Sequence, residues 1–259
     1  MYSPVRKLQI PGIKCPSGLW EIKNDIQIGA ESMYGSIYNA CCENNCDHIA
    51  KIIPYSNTSL RHIKKELEIQ DTVYRANPEL TIPILDWYKD EEKAIIILPL
   101  LYETVREELT DMDNLEEMTE LLQQVLNKTF YLHSLGVYHG DAHMNNFMLD
   151  KDGDVKLIDF GKSWYIDNPN RMLEDYQDIY TSVSSMFDGF NSEQRSMLEK
   201  IGMGIENVIE NIDMKIRMQN LGSNAPIELS DIQLGLQHSD SLDFTDFDLP
   251  DVPSGLPTL

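Results

Sequence analysis

The stretch His-Gly-Asp-Ala-His-Met-Asn-Asn at residues 139–146, followed thirteen positions after Asn146 by Asp-Phe-Gly at 159–161, decides how this chain reads. Asp and Asn are common turn formers, yet here three of them stand at spacings that suit one chemistry. Phosphoryl transfer asks little covalent help from a protein. It needs a carboxylate to orient the attacking hydroxyl, and oxygen ligands for the metal ions that neutralise phosphate charge. A loop carrying Asp141 and Asn146, then two short strands, then Asp159, supplies that set.

The flanking sequence sorts into two parts. From Asp25 to Pro54 apolar residues fall in strand-like groups, Ile26 and Ile28, Ile37 and Tyr38, then Ile49, Ile52 and Ile53. Residues 41–47 read as a turn among them. Leu60, Ile63, Leu67 and Val73 repeat at helical spacing over 59–76. Two further strands are predicted near Thr81–Tyr88 and Ala94–Leu100. Beyond Leu101 the pattern turns helical, with an amphipathic helix over Asn114–Ser134 that stops before Gly136. Short strands near Phe147–Leu149 and Val155–Ile158 flank a turn at 150–154, and helices are expected at 174–187 and 192–219.

His-x-Asp with Asn146 and then Asp-Phe-Gly resembles the protein-kinase-like superfamily. That resemblance implies an α+β, bilobal kinase fold with a reduced helical C-lobe, binding ATP and Mg²⁺ in the cleft between its lobes. It makes Asp141 the catalytic base, with Asn146 and Asp159 as metal ligands. Ile-Gly-Ala-Glu-Ser-Met-Tyr-Gly-Ser-Ile-Tyr (28–38) looks like a glycine-rich loop. Gly29 and Gly35 would let the backbone approach phosphate oxygens, although the middle glycine is absent. Lys51, in His-Ile-Ala-Lys-Ile-Ile (48–53), resembles the lysine that grips the α- and β-phosphates. Glu66 is its implied ion-pair partner, with Glu68 the alternative. Ile-Leu-Pro-Leu-Leu (97–101) matches the hinge, so Leu98 and Leu100 are expected against adenine, while Pro99 has no amide hydrogen to offer.

Departures from the family pattern sharpen the expectation. Nineteen positions separate Asp159 from Asp178, the residue expected to brace the catalytic loop. No Ala-Pro-Glu follows, and Gly140 replaces the arginine that senses activation-loop phosphorylation. This shortened form looks like the kinases of the KEOPS tRNA-modification complex and lipopolysaccharide kinases. The His143 position looks instead like aminoglycoside and choline kinases, and the residue is expected either to touch the transferred phosphate or to face solvent. His139 is expected to shape the loop by packing and hydrogen bonding.

Composition bounds the partners. With 21 basic against 43 acidic residues the net charge is -22, which repels nucleic-acid backbones and anionic membranes. The apolar run Ala94–Leu101 is too short to span a bilayer. Cys15, Cys41, Cys42 and Cys46 show no disulfide spacing, which places the chain in a reducing, intracellular compartment, the cytoplasm or a virion. A zinc site at Cys41 or Cys42, Cys46 and His48 lacks paired ligand spacing. The Asp-Lys-Asp-Gly-Asp run (150–154) has Val155 and Gly161 where a calcium loop needs Gly and Glu.

The expected organisation is an irregular lead-in over 1–24, an N-lobe over 25–101, a C-lobe over 102–221 and an acidic, disordered tail over 222–259. No Lys or Arg follows Arg217. Leu242, Phe244, Phe247 and Leu249 among aspartates give the tail the pattern of a docking peptide for a basic, apolar groove. The expected activity is serine/threonine protein phosphorylation by a compact kinase, with a large DNA virus as its source. The alternatives are a small-molecule hydroxyl kinase, or a pseudokinase or virion assembly component that binds through the tail.

Overall fold

A computed structural model describes Cys15, residues 19–32, 35–186 and 192–220, and Ile227. The chain divides into two units, Met1–Tyr102 with Ile158–Gly161, and Glu103–Leu157 with Lys162–Leu259.

In the first unit, the isoleucine-rich segments form an antiparallel five-stranded sheet. Its strands are β1 (Trp20–Ser32), β2 (Gly35–Cys42), β3 (Asn45–Pro54), β4 (Asp86–Lys89) and β5 (Lys93–Pro99), in the order β1-β2-β3-β5-β4. β3 is central, and its register sets Lys51 opposite Ile37 on β2 and Ile96 on β5. Side chains alternate between faces along a strand. Ala50 therefore points into the core with Ala40, Leu85 and Ile97, and Lys51 points to the other side.

Helix α1 (Leu60–Ala76) follows β3 and starts at Ser59, whose side chain accepts from the His62 N–H. Ile63, Leu67 and Val73 are buried at 1% exposure or less, each worth about 1.5–3 kcal/mol against an exposed position. They define the face on which Glu66 also lies.

The second unit is mainly helical: α2 (Val105–Asp111), α3 (Leu115–Ser134), α4 (Asn170–Ser184) and α5 (Ser192–Asn220). Between α3 and α4 lie four short strands, β6 (Val137–Tyr138), β7 (Phe147–Leu149), β8 (Val155–Leu157) and β9 (Trp164–Tyr165). β6 pairs with β9, and β7 with β8. Asn114 caps α3, and Met118, Leu122, Val125 and Leu126 are buried along it. Gly136, at φ 73°, turns the chain out of the helix into β6. The Asp150 carboxylate accepts from the Asp152 and Asp154 amides, so residues 150–154 are a hairpin turn.

Several expectations are corrected. The turn at 41–47 shrinks to Glu43 and Asn44, because strand pairing continues to Cys42 and Asn45 and Glu43 takes the left-handed φ of 57°. β1 starts at Trp20, inside the expected lead-in. α4 starts at Asn170 instead of 174, and α2 had no sequence expectation at all. The cysteines are paired, Cys15 with Cys42 and Cys41 with Cys46. Adjacent residues of a strand face opposite ways, so Cys41 and Cys42 each meet a different partner. The pairing removes the argument for a reducing compartment and leaves no thiolates for zinc. Residues 1–14, 16–18 and the tail over 222–259, Ile227 apart, lie outside the described residues. No described helix is long and apolar enough to cross a membrane.

Candidate active site

Three of the expected site residues meet within the first unit. The Lys51 ammonium lies 2.8 Å from a Glu66 carboxylate oxygen and 2.9 Å from Asp159 Oδ1. Burial alone pushes the ammonium toward its neutral form. The two carboxylates outweigh that penalty and hold its pKa above the ordinary lysine value. Glu66 is buried on α1, while Glu68 is exposed, which resolves the choice of partner. Asp159 sits at φ 59°, a left-handed conformation uncommon outside glycine. From there its carboxylate reaches the Lys51 ammonium.

Two glycines are required here for space. A Cβ at Gly161 would stand 3.2 Å from Asp159 Oδ1 and 3.6 Å from Glu66 Oε2, crowding the carboxylates around Lys51. At Gly35, φ is +133° and a Cβ would lie 2.1 Å from the Ile52 carbonyl. Close packing of β2 on β3 therefore demands Gly35 by itself. Gly29 lies in β1 just past the Ile28–Ile37 pair, where the register shifts. Leu98 belongs to β5, opposite Ile49. The Leu100 amide donates to the Asp47 carbonyl at 3.0 Å, so strand pairing runs on past Pro99 and engages that amide.

The catalytic-loop residues lie in the second unit. Asp175, fully buried on α4, accepts from three donors: the His139 and Gly140 amides, each at 2.7 Å, and His133 Nε2 at 2.8 Å. Burial would raise this carboxyl's pKa, but its donors hold it below the usual value. Asp175, and not Asp178, is thus the principal brace of the loop. Asp178, one turn further along, accepts from the Ala142 amide, and its own pKa is raised by burial and by the neighbouring Asp175 and Asp141. Both belong to one helix face three residues apart, and the start of α4 at Asn170 aims Asp175 at the loop.

The loop places its functional groups by short contacts. Asn146 Nδ2 donates to the Asp141 carbonyl at 2.8 Å and lies 3.3 Å from His143 Nε2. Its nitrogen is committed to the loop, which leaves the amide oxygen as the group to offer a cation. His139 is fully buried. Its amide serves Asp175 and its carbonyl accepts from Ser163 Oγ at 2.9 Å.

Asp141 has a partner that sequence reasoning missed. Lys162 Nζ lies 2.7 Å from Asp141 Oδ1, while His143 Nε2 stands 3.8 Å from Oδ2. The sequence did carry a signal for it, a lysine directly after Asp-Phe-Gly together with a histidine two residues after Asp141. Asp175 carried a weaker one, a second aspartate three positions before Asp178.

Among the described residues no group of three or more His, Cys, Asp or Glu side chains is arranged to hold a metal ion.

A buried lysine–glutamate–aspartate cluster in the first unit, and a braced His-Gly-Asp loop with an asparagine five residues past the aspartate in the second, are arrangements that mark the kinase class of fold. The chain matches the protein kinase domain family over residues 23–184 and belongs to it. It is similar to serine/threonine-protein kinase PSK2 of Saccharomyces cerevisiae, 29% identical over 159 residues, 54% of this chain and 14% of that protein. Serine/threonine-protein kinase 10-A of Xenopus laevis is 30% identical over 154 residues, 57% of this chain and 16% of its own length. Serine/threonine-protein kinase 36 of Mus musculus is 25% identical over 142 residues, 52% of this chain and 11% of its own. Each match therefore takes in less than a fifth of the relative's length.

Proposed function

We propose that this chain transfers the γ-phosphoryl group of ATP to serine or threonine hydroxyls of proteins. The observation that carries the reading is the Lys51 ammonium held between Glu66 and Asp159. A cation fixed in this way is suited to the α- and β-phosphates of a nucleotide. In the proposed step the acceptor oxygen bonds to the γ-phosphorus as the bond to the β–γ bridging oxygen breaks. ADP departs with that electron pair, and the hydroxyl proton passes to the Asp141 carboxylate. Asn146 and Asp159 would hold Mg²⁺, which neutralises phosphate charge. Gly29, Gly35, Leu98 and Leu100 are the residues proposed to line the nucleotide. The Leu100 contribution is its side chain and carbonyl, because its amide is engaged with Asp47.

The test is transfer from labelled ATP to generic serine-containing proteins and to small alcohols. Asp141→Ala should abolish turnover while nucleotide still binds. Near-full activity in that variant would refute the assignment.

A small-molecule acceptor is the second reading. The ten residues between Asp159 and α4 hold little beyond β9, leaving scant chain for a peptide platform, and His143 supports the same reading. The short segment is also what favours a place beside the KEOPS-complex and lipopolysaccharide kinases, and a large DNA virus as source. The residues 242–249 pattern supports a docking role for the tail, and a partner-binding protein without catalysis is the outcome if no acceptor is phosphorylated. A cytoplasmic or virion location belongs to the same proposal, against which the paired cysteines weigh.

A further inference from the structure

The catalytic loop of this chain has no lysine of its own. His143 stands two residues after Asp141; its Nε2 lies 3.3 Å from Asn146 Nδ2 and 3.8 Å from the Asp141 carboxylate, and the charge of Asp178 also acts on it. The nearest ammonium comes from another segment. Lys162 follows Asp-Phe-Gly directly, and its Nζ lies 2.7 Å from Asp141 Oδ1.

Backbone contacts on each side fix this arrangement. Gly140 takes φ +74°, and a Cβ there would come within 2.7 Å of the Lys162 carbonyl, so the two segments touch main chain to main chain. One residue on, Ser163 Oγ bonds the His139 carbonyl, and beyond it Trp164 and Tyr165 pair with Tyr138 and Val137. Lys162 is thereby carried to Asp141 by a short ladder that begins two residues past it. The glycine at 140 serves the same close approach. An arginine there would be strained by φ and by the Lys162 carbonyl.

We propose that Lys162 is a catalytic residue that supplies, from the segment after Asp-Phe-Gly, the positive charge that meets the transferred phosphoryl group beside Asp141. The inference rests on the phosphotransfer reading above and deepens it. In the resting protein the ammonium orients Asp141. During transfer it keeps its proton and faces the equatorial phosphoryl oxygens, while Asp141 takes the proton of the acceptor hydroxyl. A lysine suits this post because it is a compact point charge with three rotatable donors. About half of its side chain is exposed, so it can turn from carboxylate to phosphate.

The experiment measures ADP release and peptide phosphorylation by the full chain, with a generic serine-containing peptide as acceptor. Lys162→Ala should lower kcat by about 10²–10³, with the KM for ATP changed by less than about threefold. Lys162→Arg should recover at least part of the loss, and added methylammonium should partly rescue Lys162→Ala but not Asp141→Ala. A purely structural role predicts a fall in Tm with no rescue by arginine or amine, and that result overturns the proposal. Unchanged or raised kcat overturns it as well, because Lys162 would then merely cover Asp141. If the wild-type chain binds ATP and transfers nothing, the phosphotransfer reading falls and takes this inference with it. An active wild type with an equally active Lys162→Ala sinks the inference alone.

Discussion

Lys51 has two acidic neighbours, and the three groups stabilise one another only together. Replacing Lys51 with Met leaves Glu66 and Asp159 as partly buried carboxylates facing each other without a cation. The expected result is a loss of about 10²–10³ in turnover, comparable to removing one preorganised electrostatic group, with weakened nucleotide affinity in a fluorescence titration. Gly161→Ala tests the same cluster more gently. Its Cβ would approach Asp159 Oδ1 to 3.2 Å, so the carboxylate must yield by a few tenths of an ångström. Turnover should fall while the thermal midpoint barely moves.

Among the elements, α4 sets the catalytic loop chiefly through the buried Asp175, with Asp178 and Ser182 taking further loop amides. Asp175→Ala would strand His133 Nε2 and two amides, and buried donors left unmade cost roughly 1–3 kcal/mol each. A loss of about 3 kcal/mol or more in urea unfolding is expected. The pH dependence follows from the sign of the shift. Because the folded state holds Asp175 below its ordinary value, its contribution is complete above about pH 3.9. It is lost as pH falls through the lower, folded value. Unfolding midpoints measured from pH 7 to pH 3 should drop at the acid end, and Asp175→Asn should flatten that drop. Gly140→Ala should separate Lys162 from Asp141 and reduce kcat with it.

The same elements show what was legible beforehand. α1 and α3 announced themselves, since each has an apolar stripe and a capping side chain, Ser59 or Asn114. α2 is seven residues long and offers no stripe; its one signal is the box formed by Thr104 and Glu107. β6 and β9 are two residues each, too short for any periodicity. The sequence named Lys51, Glu66 and Asp159 as associates, because the motif order is specific. It could not separate Asp175 from Asp178, since only the placement of α4 decides which carboxylate is buried. Lys162 was missed because its importance lies in a pairing across twenty-one positions. The cysteines misled for a related reason, as strand alternation and not spacing sorts them into pairs.

Taken as a single charged body, the chain carries -22, with seven acidic residues and no Lys or Arg beyond position 221. Such a field draws in cationic acceptors and repels acidic ones. The kcat/KM for a lysine-rich serine peptide should fall about tenfold or more between roughly 10 mM and 150 mM salt, as the Debye length shrinks to about 8 Å. An acidic peptide should show the opposite trend. Removal of residues 222–259 should weaken both dependences, measured as the slope of log kcat/KM against log salt.

The Leu100–Asp47 bond reaches into pharmacology. With Leu100 placed against adenine as proposed, purine-mimicking inhibitors that rely on its amide would find the hydrogen already given to a neighbouring strand. Each such compound forfeits about 1 kcal/mol, several-fold in affinity. Scaffolds that bind through apolar contact with the proposed lining residue Leu98 instead should keep their potency, and a panel containing both kinds would rank accordingly.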